Sequence, residues 1–241
     1  NDIVKEINSS TAEAILDMKE RSSNLDEHTV MVTLLSVLVG KKLKLDEQRL
    51  NNLALGCLLH DRGLRYVTIQ YEGRDLTAVE PAEMFEYKKH TILGYSALQD
   101  ETWIPQISRK MILSHHENME GTGFPMKQKY KETECRIIQA CDAFDCYISG
   151  MECKRMSVQE ALDIMIGNAG KKYDKAVVDN LVSTVAKYPV GTTVKTNVEE
   201  RGVVISQTVD PENPIIMILN TDECSERNLM LEENISILGV V

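Results

Sequence analysis

The sequence predicts a mainly α protein, an all-helical bundle followed by a small C-terminal β meander or barrel. Over most of the first 188 residues, apolar side chains recur at helical rather than alternating intervals. Leu, Ile, Val and Met are plentiful there, while aromatic residues make up only 5% of the chain. From Val190 onward the pattern changes to short β-branched runs separated by Pro211, Asn213-Pro214 and Asp222, as in a strand meander.

The elements follow in order. Ile3, Ile7, Ala14, Ile15 and Met18 sit at loose helical steps over residues 3–20, giving a first helix or linker segment that ends by residue 23. His28 opens a second apolar run through Val30, Leu34, Leu35, Leu38 and Val39. Gly40 suits the C-terminus of that helix. Asp46 is placed to cap the next helix, where Leu50, Leu53, Ala54, Cys57 and Leu58 line one side and His60 and Asp61 come last. Pro81 fits the first turn of a helix containing His90, and Pro105 opens one that reaches His115 and His116.

Gly121, Gly123 and Pro125 mark residues 117–132 as a loop before a helix over 133–148. Ser157 and Glu160 have capping-box spacing. Asp174 can cap a last helix with Val177, Leu181 and Val185 inward, ending at Tyr188-Pro189. The runs at 202–206, 215–219 and 235–241 are the expected strands. The resulting division is 1–23, 24–189 and 190–241, with a short joint before the last part.

Composition narrows the function. No 18 residues in a row are apolar, so no membrane-spanning helix is expected. A formal charge of −10 argues against a face that grips long nucleic acid, while small anions held by metals remain open. Six cysteines occur without a C-x-x-C pair or a preceding signal peptide, which reads as reduced thiols in a cytoplasm. Cys135, Cys141 and Cys146 are expected to be small core residues, and Trp103 to pack near a helix start. The chain opens at Asn1 and is read as a piece of something longer, with control elements before it.

The chemistry lies in five histidines, all outside the β part: His28, His60, His90, His115 and His116. Any one alone reads as a buried imidazole bonded to backbone. Together with Asp61 and with Asp142, whose helical neighbours Cys141 and Phe144 are apolar, they suggest a cation, since an unpaired buried carboxylate is costly. Nitrogen and oxygen donors without thiolate suit iron, manganese or a similar first-row ion. Seven ligands exceed one ion with an open position, whereas two ions bridged by a carboxylate would use them all.

These residues run as His28, His60-Asp61-Arg62-Gly63-Leu64, His90, His115-His116-Glu117, Gly121-Thr122-Gly123-Phe124-Pro125 and Asp142-Ala143-Phe144-Asp145. The run resembles the HD-GYP family of the HD phosphohydrolase superfamily, whose pattern is H, H-D-x-G-K, H, H-H-E with G-x-G-Y-P, and D-x-F-D. The resemblance covers residues 24–188. It implies a helical HD domain with an iron or manganese pair that activates a bridging water to hydrolyse a cyclic dinucleotide, usually cyclic di-GMP.

By position, Asp61 matches the bridging carboxylate, His28, His60 and Asp142 one ion, and His90, His115 and His116 the other. Some members hold a third ion through a glutamate that is Asn24 here, so two ions are expected. His60, Asp61 and Arg65 are the expected catalytic set; Gly123, Phe124, Pro125 and Lys154 are expected to bind substrate. A homodimer or a fused or partner sensory domain is the expected protein contact.

The sequence departs from the family where substrate is gripped. The lysine of H-D-x-G-K is Leu64, and Arg65 beside it points in another direction. Tyrosine is replaced by Phe124. The arginine-bearing stretch after D-x-F-D reads Gly150-Met151-Glu152-Cys153-Lys154, and another family arginine is Met31. The alternatives are therefore a metal- and nucleotide-binding module with weakened catalysis, or an HD hydrolase for another phosphoester.

Overall fold

The computed structural model describes residues 15–20, 23–219 and 225–241. The chain forms two compact units. In the first, α1 (Leu25–Lys42) is capped by Asn24, whose side chain accepts from the Glu27 amide at 3.0 Å. The helix continues through Gly40 to Lys42, contrary to the expected stop. Gly40 instead allows α2 (Glu47–Leu59) to approach closely, since a Cβ there would lie 2.9 Å from Leu53 Cδ2 and 3.0 Å from Leu50 Cδ2. Asp46 caps α2 as expected, accepting from the Arg49 amide at 2.9 Å.

After Leu59 the chain tightens into a 3-10 turn over Arg62–Tyr66, so His60 and Asp61 sit at a break in the helix. The next helices are α3 (Pro81–Leu98), α4 (Gln106–Ser114) and α5 (Thr133–Ser149), which Gly150 ends in the left-handed conformation at φ 68°. Residues 117–132 form the expected loop. The capping box of α6 (Val158–Gly167) is present, and Asp174 caps α7 (Lys175–Val182), accepting from the Ala176 amide at 2.9 Å.

Helix α5 forms the centre of this unit. Cys135, Ile137, Ile138, Ala140, Cys141, Phe144 and Ile148 on it are all buried. Helices α1 and α4 pack against it, and α3 packs on the 3-10 turn and on α4. Polar ties set the register. Arg49 Nε and Nη2 donate to both oxygens of Glu134 at 2.7 and 2.9 Å, joining α2 to α5. Gln139 donates to the Ser114 carbonyl at 3.0 Å, immediately before His115.

The second unit includes residues 15–19 and Val182–Val241. Its five-stranded antiparallel sheet comprises β1 (Thr193–Thr196), β2 (Arg201–Ser206), β3 (Ile215–Ile218), β4 (Glu226–Asn228) and β5 (Ile237–Val240), in the order β4-β3-β2-β1-β5. The first four strands form a meander, and β5 returns beside β1 with Val240 opposite Val194. Among the described residues no ladder joins β4 to β5, so the pairing observed is an open sheet. Tyr188, Val194, Val204, Ile216, Ile218 and Leu229 form its core. Strand β4 (ERN) is too polar to read as a strand, and β1 (TVKT), though β-branched, has only one aliphatic residue in four.

Three local expectations change. Of the helix expected over 3–20, residues 15–20 are not helical, and Leu16 makes a parallel bridge to Val185; the earlier part lies outside the described residues. The last helix ends at Val182 instead of continuing to Tyr188: a turn follows at residues 183–184, Val185 pairs with Leu16, and Val185 and Tyr188 are both buried outside the helix. Trp103 is 62% exposed, its indole N–H donating to Glu101, and is not a packing residue. Of the cysteines, Cys57, Cys135, Cys141 and Cys146 are buried as expected, and Cys224 lies outside the described residues.

Gly63 shows how closely the site-bearing elements meet. A Cβ at this position would lie 1.8 Å from the His90 carbonyl oxygen and 2.6 Å from the Gly94 amide nitrogen, both backbone. Gly63→Ala is expected to cost about 2–3 kcal/mol in denaturant unfolding, as overpacking against backbone does. Gly167→Ala, where the added carbon meets nothing within 4 Å, should change stability by only about 0.5 kcal/mol. Equal midpoints for the two variants would show that the approach of the turn to α3 is not tightly constrained.

Candidate metal centre

The five histidines and two aspartates selected from the sequence converge in the helical unit, although they come from α1, the end of α2, α3, the end of α4 and α5. Local backbone chemistry orients the rings. His60 Nδ1 is 2.6 Å from the Cys57 carbonyl, His90 Nδ1 2.8 Å from the Tyr87 carbonyl, and His115 Nδ1 2.9 Å from the Ile112 carbonyl. A carbonyl only accepts, so each Nδ1 carries the hydrogen and each ring directs its Nε2 inward. His28 Nδ1 is held by Asp145 Oδ2 at 2.7 Å.

The inward nitrogens meet one another. His28 Nε2 lies 3.2 Å from His60 Nε2, and His90 Nε2 lies 3.0 Å from His115 Nε2. Two lone pairs at that range repel unless a proton or a metal cation lies between them. The two oxygens of Asp61 divide between the pairs. Oδ2 is 3.5 Å from His28 Nε2 and 3.3 Å from His60 Nε2, while Oδ1 is 3.5 Å from His90 Nε2 and 3.4 Å from His115 Nε2. Asp142 Oδ1 joins the first pair at 3.1 and 3.5 Å.

Asp61 Oδ1 is buried without a hydrogen-bond partner among the described residues. Three groups have donor atoms close enough to hold a cation: Asp61 with His90, His115 and His116; His28 with His60 and Asp61; and His28 with Asp142 and Cys146. Buried imidazole and carboxylate donors of this kind fit divalent first-row ions.

With protons in place of cations, the site polarises. Burial opposes a charge on His28, yet hydrogen bonds and charge from Asp142 and Asp145 raise its pKa to about 10. His60 is raised despite burial by Asp61 and Asp142. His90 is driven down to about 3 by burial and by the charge on His116, and His115 is lowered for the same reasons. Burial works against the ionised form of Asp61, but His60 and His115 hold its carboxyl well below the usual range. Hydrogen bonds from His28 and His60 do the same for buried Asp142.

Two carboxylates not selected from the sequence also belong to this centre. Asp145, the last residue of the D-x-F-D run, anchors His28. Glu152 approaches His116, with Oε1 3.2 Å from Nε2, and accepts a hydrogen bond from the Tyr87 hydroxyl. The D-x-F-D spacing pointed to Asp145, whereas nothing local in the sequence singles out Glu152.

The loop after α4 closes over His116. Glu117 accepts from the amides of Met126 at 2.6 Å and Gln128 at 3.1 Å. A Cβ on Gly123 would lie 2.3 Å from the His116 carbonyl oxygen, so only glycine permits this fold-back. Phe124 stacks on the His116 ring with centroids 4.5 Å apart and planes at 25°, and Pro125 follows, partly buried.

A cavity of about 370 Å³ opens onto His115, His116 and Asp142, walled by Gly123, Phe124 and Glu152. Leu64, the residue in the family lysine position, is buried in an apolar cluster that also contains Met151. Arg65 is exposed, with its guanidinium 5.4 Å over the neighbouring Tyr66 ring. Lys154 is exposed and does not line this cavity. No described helix is long and apolar enough to cross a membrane.

The sequence profile of the HD domain family matches residues 5–177. The cyclic di-GMP phosphodiesterase PdeB of Borreliella burgdorferi is 25% identical over 199 residues, covering 80% of this chain and 51% of that protein. A cyclic di-GMP phosphodiesterase of Pseudomonas aeruginosa is 26% identical over 216 residues, covering 86% and 52%. The chain thus spans about half the length of these curated relatives. In fold it is similar to an HD-GYP-type protein from Bdellovibrio bacteriovorus, with a TM-score of 0.63 at 24% identity over 74% of this chain and 58% of that one. With the profile covering most of the chain, the chain belongs to the HD domain family, and the motif run carried on its converging helices resembles the HD-GYP pattern.

Proposed function

We propose that the helical unit is a metal-dependent phosphodiesterase domain that opens a cyclic dinucleotide, with cyclic di-GMP as the first substrate to test. The observation that carries this reading is the division of the two Asp61 oxygens between two pairs of converging imidazole nitrogens. Asp61 would bridge two ions, iron or manganese. His28, His60 and Asp142 would hold one, and His90, His115 and His116 the other. When bound, such a pair supplies Lewis-acid polarisation of the phosphoryl oxygens and a water of lowered pKa.

The protein residues orient and enclose. The Cys57, Tyr87 and Ile112 carbonyls fix the tautomers of three ligands, and Asp145 fixes a fourth. Glu152 would restrain His116 from the cavity side. Gly123, Phe124 and Pro125 would form a wall against the nucleotide. The relatives named cyclic di-GMP phosphodiesterases support the substrate class. A second reading, a module that holds metal and nucleotide without cleaving, is favoured by Leu64 and Met151, which put apolar side chains where the family has cations.

Purified anaerobically, the protein is expected to retain about two ions per chain and to linearise cyclic di-GMP. His60→Ala and Asp61→Ala should each lose at least about 10²-fold in rate along with metal. Full metal occupancy with no cleavage of any cyclic dinucleotide would favour the binding module. In that case Leu64→Lys with Met151→Arg is expected to restore turnover.

Metal loading should release protons. His28 in the metal-free protein stays protonated up to about pH 10, and a cation must displace that proton. Apparent Mn²⁺ affinity should therefore rise with pH between 6 and 8, accompanied by proton release in weakly buffered titrations. Loading without proton release would exclude His28 as a ligand.

A further inference from the structure

We propose that Lys88 and Lys172 are the cationic contacts for the substrate phosphate that does not sit over the metal-ligand clusters. The inference rests on the phosphodiesterase reading and deepens it. The positions where the family resemblance puts cations are apolar here: Leu64 and Met151 are 2% and 1% exposed and share one cluster with Tyr87 and Cys146. Neither side chain lines the cavity, and neither carries a charge for a phosphate.

Charge enters the same cavity from two other places. Lys88 comes from α3, two residues before His90, and Lys172 comes from the segment between α6 and α7. Both are half-buried. Neither ammonium has a carboxylate partner among the described residues, whereas Lys89, Lys110, Lys175, Lys187 and Lys195 each pair with a glutamate or aspartate. Their described side-chain contacts are aromatic faces: Lys88 Nζ is 5.2 Å from the Phe124 centroid, and Lys172 Nζ is 5.5 Å from that of Tyr173.

An aromatic face steadies an ammonium without neutralising it. Its donors remain available to an anion at the mouth of the cavity, where partial desolvation strengthens the attraction. Backbone bonds hold the Lys172 segment, since the Lys172 carbonyl accepts from the Met119 amide at 3.0 Å and its amide donates to the Asn168 carbonyl at 3.0 Å. Lys88 stands over the ring that stacks on His116, which ties this cation to a proposed metal ligand. The ligand class that uses both features has two phosphates, one at the clusters and one at the lysines. A cyclic dinucleotide meets that description, and a cyclic mononucleotide lacks the second phosphate.

The test uses the full, metal-loaded chain with Lys88→Met and Lys172→Met, and with Lys89→Met and Lys171→Met as neighbouring controls. Two quantities are read: KM and kcat for cyclic di-GMP, and the affinity for inorganic pyrophosphate. Each lysine variant in the cavity should weaken both substrate and pyrophosphate about tenfold, as loss of one charge-assisted contact does, with metal content unchanged. Lys88→Arg and Lys172→Arg should retain most of the binding, and the controls should match wild type. If the wild type cleaves nothing but pyrophosphate binding still falls in the two variants, the lysine assignment stands and the phosphodiesterase reading falls. Unchanged KM and pyrophosphate affinity in both variants would overturn the assignment.

Discussion

The structure of the helical unit depends on one arrangement: the Asp61 carboxylate lies between two pairs of imidazoles whose Nε2 atoms face each other. Such a cluster has no reason to form on its own, because neutral imidazole nitrogens repel and buried polar atoms lose water. The surrounding frame compensates. His60 and His115 sit at the C-terminal ends of α2 and α4, where the last carbonyls lack helical partners. Their Nδ1–H groups donate to the Cys57 and Ile112 carbonyls near those ends, and the bond selects the tautomer that points inward.

The remaining packing serves that geometry. Gly63 lets the turn after Asp61 touch the backbone of α3 at His90, which brings the two imidazole pairs within reach of one carboxylate. The Arg49–Glu134 pair and the Gln139–Ser114 bond hold α2 and the end of α4 against α5, from which Asp142 and Asp145 project. Gly123 allows the following loop to fold over His116, closing one wall of the cavity. Each glycine is needed because backbone, rather than a flexible side chain, occupies the space where a Cβ would go.

The departures from the family pattern have a common physical setting. Leu64 and Met151 are far apart in sequence but occupy one apolar cluster, so a cation at either position would be buried against the other's hydrocarbon. Their replacement is coherent as packing, and it leaves the polar contacts of the cavity to other elements. The net charge of −10 is no guide here, because the electrostatics of a cleft are set by the groups lining it.

Much of this was legible in the sequence. Asp46, Pro81, Ser157 with Glu160, and Asp174 mark helix starts through local hydrogen bonding or fixed φ, which need no tertiary context. The seven His and Asp residues could be selected because metal-ligand chemistry restricts residue type, and each stands near a recognisable helix end or on an apolar helix. Gly40 lies at a helix crossing and not at a helix stop, and the two kinds of glycine look alike in one dimension. Strand β4 is legible only through its pairing with β3, and β1, with Val194 as its one aliphatic residue, through its pairing with β2 and β5. Tertiary structure alone decided that Asp61 divides its oxygens between two histidine pairs, that Glu152 reaches His116, and that Lys88 and Lys172 share a cavity while Arg65 and Lys154 face solvent. Those facts concern side-chain direction between distant segments, which depends on how helices cross and therefore cannot be read from spacing along one chain.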